Sequence, residues 1–359
     1  MEKKDWELRE YKEGDEHQII NLFEEVWGEP MGVSDSLEFW NWQFKKNPFG
    51  NIYSVLGVDN DNIVGQYTVV PVPMIADGKK FTGSLSLHTI VHPDYQGQRM
   101  FTTMADELYR NLQQNGIHLT YGFPNENSIH AFKKYLKWKE ILEIPLMARP
   151  INFKKSASKM FGEGMKSKFI GTFSKKYYGL RFSPIEIPSS IDIQRINTFS
   201  EEFDILWNRI KNQFEMGIVR NSKYLNWRFA EKPGYNYRIF SLNNNSKLAG
   251  YAVMRNFEYE DLNIMLIMDL VVKNKKKDYV KYLLSRCINE AENRNTDILA
   301  SIVCDLEKSY KELGFRKIGF EKLPQKKYFG VRKNTSKFRD NVIFNGDKWY
   351  INWMDDPGY

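Results

Sequence analysis

Apolar and polar residues alternate from Trp6 to Tyr11, as in an edge strand. From Asp15 the period lengthens and Ile19, Leu22, Phe23 and Val26 share one helical face. Three β-rich stretches follow at 53–58, 63–74 and 80–91, parted by turn residues at 59–62 and at Asp77-Gly78. Met104, Leu108 and Leu112 set a helix over about 100–115, followed by a strand at 117–123 and a helix over about 127–135. Past residue 186 the order recurs: a strand near 191–197, a helix near 201–214, and strands near 237–242, 248–257 and 262–272. A helix near 278–292, a strand near 297–304 and a helix near 306–313 complete it. Each half reads as an α/β (α+β) fold, a mixed, mostly antiparallel sheet flanked by helices.

The recurrence extends to residue identity. FWNWQFKKNPFGN at 39–51 and YLNWRFAEKPGYN at 224–236 place Asn41, Trp42, Phe44, Pro48 and Asn51 on Asn226, Trp227, Phe229, Pro233 and Asn236. One offset, 185 residues, serves every pair and also carries Gly65 onto Gly250. Tandem duplication follows, with an N-terminal domain at 1–151, a basic connector at 152–185, a C-terminal domain at 186–335 and an aromatic, acidic tail at 336–359. A feature repeated at one offset points to core packing rather than to a carbohydrate-stacking surface.

Composition narrows the function classes. With 42% hydrophobic and 15% aromatic residues the chain can build sizeable cores, which excludes wholesale disorder. No stretch approaches the roughly 18 apolar residues of a membrane span, and the charged first residues carry no secretory signal. Cys287 and Cys304 are too few for a disulfide framework and sit in no metal-binding spacing, so a reducing, cytoplasmic setting is expected. The net charge of +7 suits a phosphorylated ligand, an acidic polymer or an anionic membrane face; no nucleic-acid motif is present. Residues 152–182 hold eight basic residues against Glu163, with Phe161, Met165, Phe169, Ile170 and Phe173 at near-helical spacing. That pattern fits peripheral membrane contact or a solvated connector. Gly162, Gly164 and Gly171 weaken a stable helix and favour the connector.

The chemistry concentrates in TIVHPDYQGQRMFTTMADEL, residues 89–108. An apolar strand ends at Pro93, a polar glycine turn follows and an amphipathic helix begins, which aims backbone N–H groups and a positive helix end at one place. Gly97 permits close backbone approach and Arg99 adds a cationic partner for a phosphate. This stretch resembles the GCN5-related N-acetyltransferase (GNAT) superfamily, whose loop V-x-P-x-Y-[QR]-G-x-G-x-G/A grips the pyrophosphate of acetyl-CoA. Val91, Pro93, Tyr95, Gln96 and Gly97 match; Arg99 replaces the second glycine and Phe101 the third small residue, a variant similar to polysaccharide-associated bacterial members. Downstream, Asn125, Ser128, Phe132 and Lys134 fall on the superfamily spacing N-x-x-A-x-x-x-Y-x-K. The resemblance implies acetyl-CoA as co-substrate, held by Ile90, Val91, Gln96, Gly97, Gln98, Arg99, Met100, Phe101, Asn125 and Phe132.

The resemblance also implies direct attack of an amine on the thioester, and Phe132 stands where a tyrosine commonly protonates the leaving thiolate. Tyr121 or Tyr135 could substitute. The five histidines are His17, His88, His92, His118 and His130, and His88, on the strand before the loop, is the candidate base; Glu126 could act through a water. In the second half, Asp269 lies 181 residues after His88 and Tyr310 opens a Y-x-x-x-G-F match, which makes both candidates for the substrate side. The second half has Lys273-Asn-Lys-Lys-Lys-Asp-Tyr279 in place of a glycine loop. The expectation is an N-acetyltransferase acting on a small-molecule amine, possibly an amino sugar. The rivals are a non-catalytic CoA- or partner-binding module and an aminoacyl transferase of the duplicated fold.

Overall fold

The computed structural model describes residues 4–28, 36–161, 172, 176, 178–179, 185–302, 304, 310–356 and 358. Strands in chain order are β1 (Glu7–Glu10), β2 (Tyr53–Asp59), β3 (Asn62–Ala76), β4 (Lys79–Val91), β5 (Leu119–Gly122), β6 (Lys139–Pro150) and β7 (Ile191–Ile196). They continue as β8 (Met216–Ile218), β9 (Tyr237–Asn244), β10 (Lys247–Tyr259), β11 (Leu262–Val272), β12 (Ile298–Ile302), β13 (Glu321–Lys333) and β14 (Trp349–Tyr350). The helices are α1 (Glu16–Trp27), α2 (Leu37–Trp40), α3 (Met100–Gln114), α4 (Glu126–Tyr135), α5 (Phe153–Phe161), α6 (Glu201–Ile210), α7 (Ser222–Leu225), α8 (Lys277–Asn293), α9 (Tyr310–Lys317) and α10 (Asp340–Ile343).

Two compact units result, and each draws on three stretches of chain. Met1–Glu143, Trp227–Gly234 and Tyr328–Gly346 make the first; Ile144–Asn226, Tyr235–Lys327 and Asp347–Tyr359 make the second. The sequence reading has one contiguous stretch per domain, 1–151 and 186–335. In the structure the strand after each half's last helix goes to the other unit. In the first unit the sheet runs β1-β2-β3-β4-β5 and is completed by residues 330–333 of β13, antiparallel to β5. In the second it runs β7-β9-β10-β11-β12 and is completed by residues 146–150 of β6, antiparallel to β12. The parallel pairs are β4/β5 in the first unit, β11/β12 and the short β14/β8 pair in the second. A fold of mixed sheets and flanking helices is what periodicity indicated.

Boundary differences have local causes. The helix expected near 201–214 stops at Ile210 and tightens into a 3₁₀ turn over Lys211–Gln213, a common way to end a helix. Strand β12 ends at Ile302, and Cys304 bridges to Ile351 instead. Of the helix expected near 306–313, residues 306–309 lie outside the described residues; α9 runs on to Lys317. Most of 162–182 also lies outside them, but the described Lys155 is engaged, its Nζ 2.8 Å from Asp297 Oδ2. Both cysteines are free and buried. Among the described residues no helix is long and apolar enough to cross a membrane.

Each unit has its own core. Tyr67, Met104, Leu108, Leu112 and Trp138 centre the first; Phe240, Met265, Leu283, Leu284 and Phe315 centre the second. The repeated Asn-Trp-x-Phe element forms a π-helical turn in both places, Asn41–Lys45 after α2 and Asn226–Ala230 after α7. Trp42 and Trp227, both in the first unit, stack with centroids 4.9 Å apart at 18°. Each indole Nε1–H donates to the other's backbone carbonyl, at 2.8 Å from Trp42 and 3.2 Å from Trp227. Both rings are buried, so the repeat serves packing. Trp42→Ala is expected to cost about 3–5 kcal/mol. In urea unfolding, Trp227→Ala added to it should cost clearly less than it does alone, since either change removes the shared pair.

Candidate active site

The site begins with a fault in a β ladder. Gln66 pairs with Ile90 and Thr68 with Leu87, so His88 and Thr89 together face Tyr67. This bulge puts His88 at φ +51°, bends β4 and takes part of its backbone out of the ladder. On its other side β4 holds β5 by two pairs, Ser84 with Thr120 and Leu85 with Tyr121. Beyond them the parallel strands share no further paired residues.

After β4 the chain turns through His92 to Arg99 into α3. Gly97 has φ +75° with open space where a Cβ would stand, and Arg99 caps the helix at φ +64°. The Arg99 carbonyl accepts from Thr103 N at 3.0 Å and from the hydroxyls of Thr102 and Thr103 at 2.8 and 2.9 Å. The backbone N–H groups of residues 97 to 102 find no acceptor among the described residues. They cluster at the positive end of a 15-residue helix. The helix start is held against the sheet by Met100. A Cβ on Gly65 would lie 2.6 Å from the Met100 sulfur, which explains that repeated glycine; at Gly250 the obstacle is the Val271 carbonyl, at 2.8 Å. Below the loop, Tyr95 donates to Asp59 Oδ2 at 2.5 Å, and this bond, with burial, pushes the phenol up to about 12.

A cavity of about 700 Å³ opens here, lined by Val91, Tyr95, Gln96, Gly97, Arg99, Met100, Phe101, Thr102, Ala131 and Tyr135. Six expected cofactor residues thus meet in one place: Val91, Gln96, Gly97, Arg99, Met100 and Phe101. The Arg99 guanidinium is exposed and makes no ion pair or hydrogen bond among the described residues. The other four do not line the cavity. Ile90 is buried in the sheet, and Gln98 accepts from Lys4 N at 3.1 Å. Asn125 caps α4 by accepting from Ser128 N at 2.9 Å, and Phe132 packs edge-on to Trp138 at 5.0 Å. Thr102, Ala131 and Tyr135 line it without having been singled out as cofactor residues, though Ala131 and Tyr135 stand four apart on α4, one turn of a helix.

The candidate catalytic groups are dispersed. His88 Nε2 lies 3.0 Å from Gln43 Oε1, and its ring sits edge-on between Phe23 and Phe44, at 5.4 and 5.7 Å. Burial pushes its pKa down to about 4, so the imidazole is neutral at physiological pH. With the Gln43 oxygen as acceptor, Nε2 carries the hydrogen and Nδ1 the lone pair. Tyr121 is fully buried on β5 beside Phe123 and Phe329, so it does not reach the cavity as a proton donor. Glu126 is exposed at the start of α4 and accepts from Tyr328 OH at 3.3 Å.

Asp269 borders a bulge in the second unit: it pairs with Val253, and Met268 is the extra residue before the pair Met254–Ile267. Asp269 is ion-paired rather than open. Arg220 Nε donates to its Oδ2 at 3.0 Å, Tyr251 OH at 2.7 Å, Leu270 N to its Oδ1 at 3.1 Å, and Asn352 Nδ2 also to Oδ1. Arg220 reaches on to Asp355 at 2.9 Å, and all three charged groups are buried. Burial opposes the Arg220 charge, but Asp269 and Asp355 outweigh it and hold the guanidinium well above its ordinary range. Burial pushes Asp355 the other way, up to about 6. A carboxylate so fully bonded is a structural anchor, and its partners Arg220, Asn352 and Asp355 carry no local motif that would have named them. Tyr310 is the first residue of α9. The second unit's loop, Lys273–Lys275, turns through Asn274 at φ +56° without a glycine.

Residues 7–135 match the family described as acetyltransferase (GNAT) domain. No curated protein matches the chain. Among solved structures the chain is similar to a GCN5-related N-acetyltransferase from Anabaena variabilis, at 10% identity and TM-score 0.65 over 92% of this chain and 73% of that one. It is similar to a probable N-acyltransferase from Enterococcus faecalis, at 12% identity and TM-score 0.64 over the same shares, 92% and 73%. Saccharomyces cerevisiae N-myristoyltransferase, solved with bound myristoyl-CoA and inhibitors, is similar at 13% identity and TM-score 0.60 over 92% of this chain and 80% of that one. The family match is confined to the first part of the chain, whereas the likeness of fold spans nearly all of it. Residues 7–135 therefore match a GNAT acetyltransferase domain, and the chain shares its overall fold with these solved proteins.

Proposed function

We propose that the protein is an acyl-CoA-dependent N-acyltransferase that uses acetyl-CoA and acylates the amine of a small molecule, of which an amino sugar is one class. The carrying observation is the run of N–H groups without acceptors at residues 97–102, at a helix N-terminus beside an unpaired Arg99 and an open cavity. Such a concavity suits a pyrophosphate. Arg99 fits as a second partner for it, since the groove beside it is open. The arm of the thioester would run past the end of the β4 and β5 pairing, which stops after Leu85 and Tyr121.

Catalysis would rest on orientation and on the bulge. The bulge frees backbone polar groups of β4 to face a polarised carbonyl. The neutral His88 at that bulge is the candidate acceptor of the ammonium proton, a weaker base than a free imidazole because of its burial. Phe132 cannot donate a proton, but a thiol pKa near 8.5 leaves the thiolate a tolerable leaving group. The second unit, with lysines for glycines in its loop and a bonded carboxylate at its bulge, reads as the supporting half.

Calorimetry with acetyl-CoA tests the reading. Binding in the micromolar range is expected, abolished in Gly97→Trp, whose new ring would enter open space rather than the core. Arg99→Ala should weaken binding about tenfold, the worth of a hydrogen bond to a charged group. Longer acyl-CoAs belong in the same titration, because one protein of similar fold was solved with myristoyl-CoA. No binding by the wild type would sink the proposal. Binding without turnover across a broad amine panel would leave the non-catalytic module.

His88 makes a separate prediction. His88→Ala should lower kcat by about 10²-fold while acetyl-CoA binding is kept. Its folded pKa of about 4 lies below the unfolded value near 6.5, so the unfolded chain takes up the proton first as pH falls. The wild type should therefore lose stability, relative to His88→Gln, between about pH 6.5 and 4, and no such difference should develop above 6.5. Thermal midpoints across that range decide it.

A further inference from the structure

The cavity of the first unit is larger than the anion it is read to hold. At about 700 Å³ it has room for a whole small ligand, far beyond a pyrophosphate alone. Its polar lining, Gln96, Gly97, Arg99 and Thr102, comes from the loop and the first turn of α3. The α4 helix adds only Ala131 and Tyr135, the latter being its last residue. Tyr135 is 54% exposed, and of the large apolar side chains left exposed among the described residues it alone lines this cavity.

Packing does not account for that ring. The apolar anchors of α4 and its cap are Ile129 and Leu136, both buried, and Phe132, which packs on Trp138. The core aromatics nearby are bonded among themselves. Trp138 Nε1–H donates to Tyr109 OH at 2.7 Å, and that hydroxyl is 2.5 Å from the one on Tyr67. The Tyr135 hydroxyl, in contrast, makes no hydrogen bond among the described residues, and Lys134 Nζ lies 5.0 Å from the centre of its ring. Lys133 is paired with Glu140 at 3.0 Å, whereas Lys134 makes no ion pair among the described residues. Ala131, one turn back on the helix, is too small to cover the ring. An exposed aromatic ring with a spare cation beside it, in a cavity that also holds anion donors, suits a flat heteroaromatic group bearing a phosphate.

We propose that Tyr135 is the stacking partner of the adenine ring of the acyl donor, with Lys134 beside the phosphate on its ribose. The donor then lies with its pyrophosphate on the N–H groups of residues 97–102 and its base on α4. Tyr135 is thereby a specificity-determining residue. The protein takes its acyl group from free CoA rather than from a phosphopantetheine arm on a carrier protein, because that arm bears the same thioester and lacks the adenosine. The ring of Tyr135 acts here, not its hydroxyl, so it is no proton donor to the thiolate. This inference rests on the acyl-CoA reading above.

Calorimetry on the full chain compares acetyl-CoA with S-acetyl-4′-phosphopantetheine in wild type, Tyr135→Ala and Tyr135→Phe. Tyr135 is exposed, so neither change touches the core. Tyr135→Ala should weaken acetyl-CoA binding about tenfold, within the range for a base stacked on an aromatic side chain, and leave binding of the bare arm unchanged. Tyr135→Phe, which keeps the ring, should bind acetyl-CoA like the wild type. Where the arm binds too weakly to titrate, the contrast between Ala and Phe on acetyl-CoA decides. Acetyl-CoA binding unchanged in Tyr135→Ala, lowered equally in both variants, or lowered in step with the arm overturns the stacking role and leaves the acyl-CoA reading standing. Absence of acetyl-CoA binding by the wild type overturns both.

Discussion

A strand held on one side by two residue pairs cannot stay in place alone, and the first unit depends on how β5 is held on its other side. Residues 330–333 of β13 supply that side, pairing from Gly330–Gly122 to Lys333–Leu119. Backbone groups left without partners in a buried sheet are costly, so β5 is fixed there rather than by β4. The two facing glycines also seat Trp138, because a Cβ on Gly330 would come within 2.9 Å of its ring. Trp138 in turn orders Tyr109 and Tyr67. Thus the place of β5 and the seat of Trp138 both follow from one short antiparallel contact.

The two bulges show what the same backbone device can carry. At one, His88 is held by a single side-chain partner, Gln43, among aromatic rings, and stays neutral. At the other, Asp269 is bonded by Arg220, Tyr251, Asn352 and a backbone N–H. Removing one partner of a buried pair of this kind costs about 3–5 kcal/mol, because the remaining charge has nowhere to go. The first bulge is thus held by fewer side-chain bonds than the second.

Local signals carried well from sequence to structure. The strand, glycine turn and helix around Gly97 were legible because their residues are consecutive and each has a backbone reason to be there. The β-rich stretches and the long helices were legible from period alone. What the sequence hid depends on distant pairing. Nothing in LKWKEILEIPLMARP or in EKLPQKKYFGVRK announces that these strands serve the unit other than the one whose helix they follow. The link from Tyr67 to Tyr109 and Trp138 spans separate elements, as does the one from Asp269 to Arg220 and Asp355. Even the repeated tryptophans, plain as a motif, gave no hint that they stack on each other.

The exchanged strands bear on how the chain is made. The first unit includes Tyr328–Gly346, so β5 keeps an unpaired edge while roughly 210 further residues are synthesised. At about 5–20 residues per second, that edge waits for roughly ten to forty seconds on the ribosome. An unpaired edge can join another nascent chain, and neighbours on the same messenger are the nearest ones. Translation speed and chaperone access over the second half of the message thus govern whether the first half reaches its native form.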